Sequence, residues 1–146
     1  MSLPLNILLV EDNPADARLT EVALAKTDVN HDLTHAASGT ACMDYLISAL
    51  DNPDLPYPDL VLLDLNMPGK SGRDVLREIK NHPELRTIPV IILTSSEAER
   101  DVIDCYRAQA NFFMTKPASY DDSRDMLKVL TVFLSRYVVL PGRYRH

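Results

Sequence analysis

Residues 60–69 read Leu60-Val61-Leu62-Leu63-Asp64-Leu65-Asn66-Met67-Pro68-Gly69. Four consecutive aliphatic side chains, preceded by Pro58-Asp59 and closed by Pro68-Gly69, predict a short strand buried on both faces, the pattern of a central strand in a parallel sheet. A lone carboxylate appears where the aliphatic run stops. Burying it without a partner or a cation costs several kcal/mol, so Asp64 is expected at the strand's carboxyl end, facing the crevice where open α/β sheets bind ligands.

The flanking sequence repeats the pattern. Residues 6–10 (NILLV) form another aliphatic run, which ends in Glu11 and Asp12; residues 87–94 (TIPVIILT) end in Thr94-Ser95-Ser96; residues 110–115 (ANFFMT) are followed by Lys116-Pro117. A weaker strand is expected over 32–37. Helices are expected over 15–26, with Asn13 as N-cap and Pro14 in the first turn, then over 40–50, 71–81 and 97–108, and as a long final helix over 119–139 followed by a tail, 140–146. Residues 51–58, with Pro53, Pro56 and Pro58, read as an exposed connection. Strand and helix thus alternate five times, which implies an α/β fold: a doubly wound, five-stranded parallel sheet with helices on both faces, as a single domain over 1–146.

The length of 146 residues suits one domain, and a hydrophobic fraction of 46% with 25% charged residues excludes wholesale disorder. A net charge of −6 with a pI near 5.1 and no basic face argues against binding to nucleic acid. The first residues lack the basic start and apolar core of a signal peptide, and no apolar run approaches the roughly 20 residues that span a bilayer, so a cytoplasmic location is expected. Cys42 and Cys105, far apart and without C-x-x-C spacing, read as two small buried hydrophobes. No glycine-rich phosphate loop occurs, His31, His35, His82 and His146 do not cluster, and no G-x-S-x-G supports serine catalysis.

The final helix carries two apolar stripes. Tyr120, Leu127, Leu130, Leu134 and Val138 lie on one side, and Met126, Val129, Phe133, Tyr137 and Leu140 lie roughly 100° around from them. One stripe covers the sheet. The second needs another chain or the tail to cover it.

In a doubly wound sheet all strand ends of one sense share an edge, so Glu11, Asp12, Asp64, Asn66, Thr94, Ser95 and Lys116 are expected to converge there. Three carboxylates held together repel each other unless a cation compensates, and an all-oxygen site of this kind suits Mg²⁺; the backbone carbonyl of Asn66 could add a further oxygen. A carboxylate nucleophile, a metal, the Lys116 ammonium and the Thr94 hydroxyl are the parts needed to accept a phosphoryl group, with Asp64 becoming an aspartyl phosphate.

Glu11-Asp12, Asp64, Thr94 and Lys116-Pro117 in this order, with the surrounding LLVEDN, LLDLNMPGKSG, VIILTSS and FFMTKP segments, resemble the receiver domain of a two-component response regulator over essentially the whole chain. The resemblance implies a flavodoxin-like sheet of order 2-1-3-4-5. It also implies Mg²⁺ bound by Asp12, Asp64 and the Asn66 carbonyl with Glu11 assisting, and phosphorylation of Asp64 by a histidine kinase. Thr94 and Lys116 are then expected to contact the phosphoryl group, and the Lys116–Pro117 bond is expected to be cis. The family's switch aromatic falls on Phe113, which can change rotamer but lacks the tyrosine hydroxyl of many members.

The proline-rich 51–58 connection, the LTSS run and the long final helix further resemble single-domain regulators paired with bacterial phytochromes. With no output module in view, a change of partner is the expected output. A homodimer is expected through the fourth helix, fifth strand and fifth helix, using Met126, Val129, Phe133 and Tyr137. Two rival readings follow from the same residues: a pseudo-receiver scaffold that is never phosphorylated, and an aspartate-nucleophile Mg²⁺ phosphatase. The second is disfavoured because Asn66 stands where such enzymes carry a second aspartate.

Overall fold

The computed structural model describes residues 3–145; Met1, Ser2 and His146, the last residue of the expected tail, lie outside the described residues. The elements run β1 (Leu5–Val10), α1 (Pro14–Ala25), β2 (His31–Ala36), α2 (Gly39–Asp51), β3 (Leu60–Leu63), α3 (Gly72–Asn81), β4 (Val90–Thr94), α4 (Glu99–Arg107), β5 (Phe112–Thr115) and α5 (Tyr120–Arg136). All strand pairings are parallel and the sheet order is β2-β1-β3-β4-β5, as expected.

The alternation of side chains along the strands divides the core in two. Leu8, Val10, Val61, Leu63, Val90 and Ile92 face Leu46 of α2, Val75, Leu76 and Ile79 of α3 and Cys105 of α4. Ile7, Leu9, Leu60, Leu62 and Ile91 face Ala17, Ala23 and Leu24 of α1 and Leu127 and Leu134 of α5. Every residue of β3 and β4 is buried, which is why their sequences read as unbroken aliphatic runs.

The helix starts are written locally. Asn13 Oδ1 accepts from the N–H groups of Ala15 and Asp16 at 2.9 and 3.1 Å, ahead of Pro14 in the first turn. Ser71 and Asp74 cap α3 reciprocally, and Ser38 and Ser119 cap α2 and α5. Helix α4 differs: it has no side-chain cap and buries only Cys105. Both cysteines are buried and unbridged, and burial pushes the Cys42 thiol up to about 12. No helix among the described residues is long and apolar enough to cross a membrane.

Several boundaries differ from expectation. Residues 85–87 form a 3-10 turn, and β4 begins only at Val90, after Pro89, which has no N–H to give a ladder. β5 begins at Phe112 because Gln109 takes a left-handed turn (φ 77°) out of α4. The final helix ends at Arg136, three residues before the expected 139, and the chain then folds back through a 3-10 turn over Pro141–Tyr144.

That return is anchored. Leu140 is buried, Arg145 donates to the Leu50 carbonyl at 2.7 Å, and its guanidinium lies 4.1 Å over the Tyr57 ring. Leu140 and Met126 therefore do not belong to an exposed stripe: Leu140 is core, and Met126 packs partly against the α1–α5 core. Val129, Phe133 and Tyr137 stay exposed, at 70%, 49% and 75%.

Leu76, fully buried between α3 and the sheet, anchors this packing. Leu76→Ala is expected to lower unfolding free energy by about 2–5 kcal/mol, against about 0.5 kcal/mol or less for Val129→Ala, read from urea denaturation midpoints.

Candidate functional site

Asp64 directly follows β3, and its N–H donates to the Val10 carbonyl at 3.1 Å, which sets it alongside Glu11 at the end of β1. Glu11 is held by its own N–H bond to Ala36 O at 3.1 Å. The carboxylates of Glu11, Asp12 and Asp64 each offer an oxygen, and these oxygens lie within 4.8 Å of one another. Glu11 and Asp64 are buried, Asp12 only partly.

A glycine makes this approach possible. A Cβ at position 72 would stand 2.1 Å from the Asp64 carbonyl oxygen and 2.7 Å from Leu65 Cα, so the start of α3 can close on the site only without a side chain. Gly72 N–H then bonds Leu65 O at 3.1 Å.

Lys116 arrives from the far end of β5. Its backbone N–H donates to Thr94 O at 2.7 Å, carrying the strand pairing one residue past the ladder. Its ammonium contacts Glu11 Oε1 and lies 3.2 Å from Asp16 Oδ2 and 3.7 Å from Asp64 Oδ2. Thr94 is fully buried at the end of β4. Asn66 is exposed, with its N–H 3.5 Å from Asp64 Oδ1, at the outer limit for a hydrogen bond.

The geometry loads the site electrically. Burial, with Asp64 adding its hydrogen bond and charge, pushes the Glu11 carboxyl up to about 7 against the opposing pull of Lys116. For Lys116, burial works against the charge. The hydrogen bond to Glu11, the charges of Asp64 and Glu11 and the hydrogen bond to Asp16 outweigh it, and the ammonium is held above its usual range.

One expected feature is corrected. Among the described residues no peptide bond is cis, so Lys116–Pro117 is trans. An X–Pro bond prefers trans by about 0.5–1 kcal/mol unless tertiary contacts reverse it, and the trans chain already brings the ammonium to the acids.

Three contacts escaped sequence reading. Asp16 is a first-turn acid of α1, a position common enough to carry no signal in the sequence, yet it meets Lys116. Tyr106 Oη accepts the Phe113 N–H at 3.1 Å, while the partly buried Phe113 ring packs against the core on the α4 side. Arg73 of α3 pairs with Asp101 and, at 3.2 Å, with Asp104 of α4; Asp101 in turn accepts from Ser96 Oγ, and Ser96 N–H lies 3.4 Å from Thr94 Oγ1. The first sets α1 against the end of β5, the second α4 against β5 and the third α3 against α4, so each depends on tertiary packing and no local signal marks it.

A five-stranded receiver-type sheet with buried acids, a hydroxyl and an ammonium at one edge defines a class, and residues 7–135 match the family described as the response regulator receiver domain. The chain belongs to that family: it is a receiver domain of a two-component response regulator, related to phytochrome response regulators. It is 41% identical over 139 residues to response regulator Rcp1 of Synechocystis sp., covering 95% of each chain. It is similar to the crystal structure of the Mn(2+)-bound form of response regulator Rcp1 (TM-score 0.84, 41% identity, 94% of this chain and 99% of that one). It is also similar to the phosphorylated cyanobacterial phytochrome response regulator RcpA (TM-score 0.87, 39% identity, 95% and 99%).

The raised Glu11 carboxyl carries a sign. A buried acid whose folded value lies near 7, against 4.5 unperturbed, contributes stability below pH 4.5 and loses it as pH rises through 7. Urea midpoints in EDTA are expected to fall over that window, and Glu11→Gln is expected to flatten that part of the profile.

Proposed function

We propose that this chain is a phosphorylation-dependent switch: a histidine kinase, of the phytochrome-linked kind, transfers a phosphoryl group to Asp64, and the chain answers by changing partner. The single observation that carries this reading is the Lys116 ammonium 3.7 Å from a buried aspartate that also shares an oxygen cluster with Glu11 and Asp12. Likeness to Rcp1 and to RcpA over nearly the full length of each supports the light-signalling link. Phosphoacceptor rather than turnover enzyme, a single receiver unit and a cytoplasmic location belong to the same reading.

The donor set fits a hard divalent cation: the cluster is made only of carboxylate oxygens, one from each of Glu11, Asp12 and Asp64, within 4.8 Å of one another. Glu11, Asp12, Asp64 and the backbone carbonyl of Asn66 would hold Mg²⁺. When bound it supplies neutralisation of the charge that Asp64 shares with the incoming phosphoryl oxygens.

The chain's own residues do the rest. An Asp64 carboxylate oxygen attacks phosphorus as the bond to the kinase imidazole breaks. Lys116 donates to the phosphoryl oxygens from one side, and the Thr94 hydroxyl donates from the end of β4. Thr94 Oγ1 now stands 3.4 Å from the Ser96 N–H, so turning it toward the phosphoryl group pulls on the loop that leads to α4. That helix has no side-chain cap and one buried residue, so it yields more readily than its neighbours. Phe113, packed on the same side, follows into the vacated space.

The surface remodelled by this shift includes exposed Ile103 and Tyr106 of α4, Phe112 of β5, Val129 and Phe133 of α5 and Tyr137 at its C-cap. Apolar residues this exposed across three adjacent elements suit a protein interface, and a homodimer is the proposed occupant.

With a small-molecule phosphodonor and Mg²⁺, intact mass is expected to rise by one phosphoryl group in the unaltered chain and not in Asp64→Asn. No gain under conditions that label a control receiver would favour the scaffold reading. In sedimentation, Phe133→Asp is expected to run as a monomer where the unaltered chain runs as a dimer; two monomers would remove this face as the interface.

A further inference from the structure

We propose that Asp16 is a positioning residue for Lys116: it is the carboxylate that retains the ammonium at the edge of the site when a divalent cation takes the oxygens of Glu11, Asp12 and Asp64. The inference rests on the metal reading above and goes beyond it, since Asp16 is not in the ligand set.

Lys116 has three N–H donors, and the structure gives its ammonium three carboxylate partners: Glu11, Asp16 and Asp64. Two of them belong to the oxygen cluster. The ammonium therefore acts as the cluster's internal counter-ion, lying against an oxygen that a metal would use. A cation bound to the same oxygens repels it, so Lys116 must withdraw. Its backbone stays fixed by the N–H bond to Thr94 O at 2.7 Å, which leaves side-chain rotation as the available movement.

Asp16 lies within that reach and is built to stay in place. Its N–H is capped by Asn13 Oδ1 at 3.1 Å and its carbonyl accepts from Thr20 Oγ1 at 3.1 Å, both inside the start of α1. Its side chain is 44% exposed, against 3% for Glu11 and 10% for Asp64, so it stands at the open rim of the site rather than among the buried oxygens. Glu11, Asp12, Asp16 and Asp64 set four carboxyl groups against one ammonium, so with a divalent cation bound the formal charge falls from −2 to −1 when the ammonium also remains close. Without Asp16, Lys116 has only the cluster's own oxygens to return to, and it competes with the metal for them.

A first-turn acid also complements the positive end of α1, and that effect does not involve Lys116. A double-mutant cycle separates the two. Mg²⁺ affinity is measured by titration calorimetry for the unaltered protein, Asp16→Asn, Lys116→Met and the double variant, with Asp16→Glu as the conservative replacement. Asp16→Asn is expected to weaken Mg²⁺ binding about fivefold when Lys116 is present and less than about twofold in the Lys116→Met background, while Asp16→Glu stays within about twofold of the unaltered protein. Equal weakening in both backgrounds, or none with Lys116 present, overturns the positioning role and leaves the metal site standing. Absence of Mg²⁺ binding by the unaltered protein overturns both.

Discussion

Glu11 and Asp64 stand almost out of water beside each other at the carboxyl end of the sheet, and the Lys116 ammonium lies against the one and 3.7 Å from the other. Two like charges about 4 Å apart repel by about 4 kcal/mol at an effective dielectric of 20, so a fold that places them there must also supply the opposing charge. One ammonium supplies part of it, and Glu11, pushed up chiefly by its burial and further by Asp64, stays raised despite the pull of Lys116. The remaining charge imbalance makes the edge receptive to a divalent cation. The requirement reaches back into the fold, because only a rigid sheet keeps acids from residues 11, 12 and 64 and a lysine from residue 116 within contact of one another.

The sheet meets that requirement by being buried on both faces. β3 and β4 have no side facing solvent, so neither can slip in register without exposing aliphatic side chains or burying polar ones. Asp64 and Thr94 inherit their positions from that constraint. The rigidity is uneven, however. Helices α1, α2, α3 and α5 begin at side-chain caps, whereas α4 is held through ion pairs from Arg73 and a single buried cysteine. The acid cluster at the stiff edge and helix α4 are joined through two short links, Thr94 to Ser96 and Ser96 to Asp101. Position 113 is phenylalanine, and the hydroxyl nearest its backbone comes instead from Tyr106, which fastens the N–H of β5 to α4.

Much of the fold is legible locally. The aliphatic runs ending in polar residues mark the strands, and Asn13-Pro14 marks a helix start, because these signals act within a few residues. The last helix stops at Arg136 rather than 139 for a physical reason: residues 137–140 continue an apolar pattern, but Pro141 cannot extend a helix and Leu140 is drawn into the core by a turn pinned at Arg145. Met126 was placed on the open stripe by its angle alone, and its flexible side chain instead reaches the core beside α1.

The sequence by itself determined the strand-helix alternation, the parallel sheet and the set of acids, hydroxyl and amine at the strand ends, since hydrophobic period and the cost of burying charge act on each segment where it stands. Only the tertiary structure decided that Asp16 meets Lys116, that Tyr106 meets the Phe113 backbone, that Arg73 ties α3 to α4, and that the Lys116–Pro117 bond is trans. The Asp16–Lys116 and Arg73–Asp101 contacts join residues far apart in the chain, the Tyr106–Phe113 bond spans the left-handed turn between α4 and β5, and the trans bond is a choice between conformers close in energy. Their outcome rests on how the helices pack over the sheet, a quantity no single stretch of the chain contains.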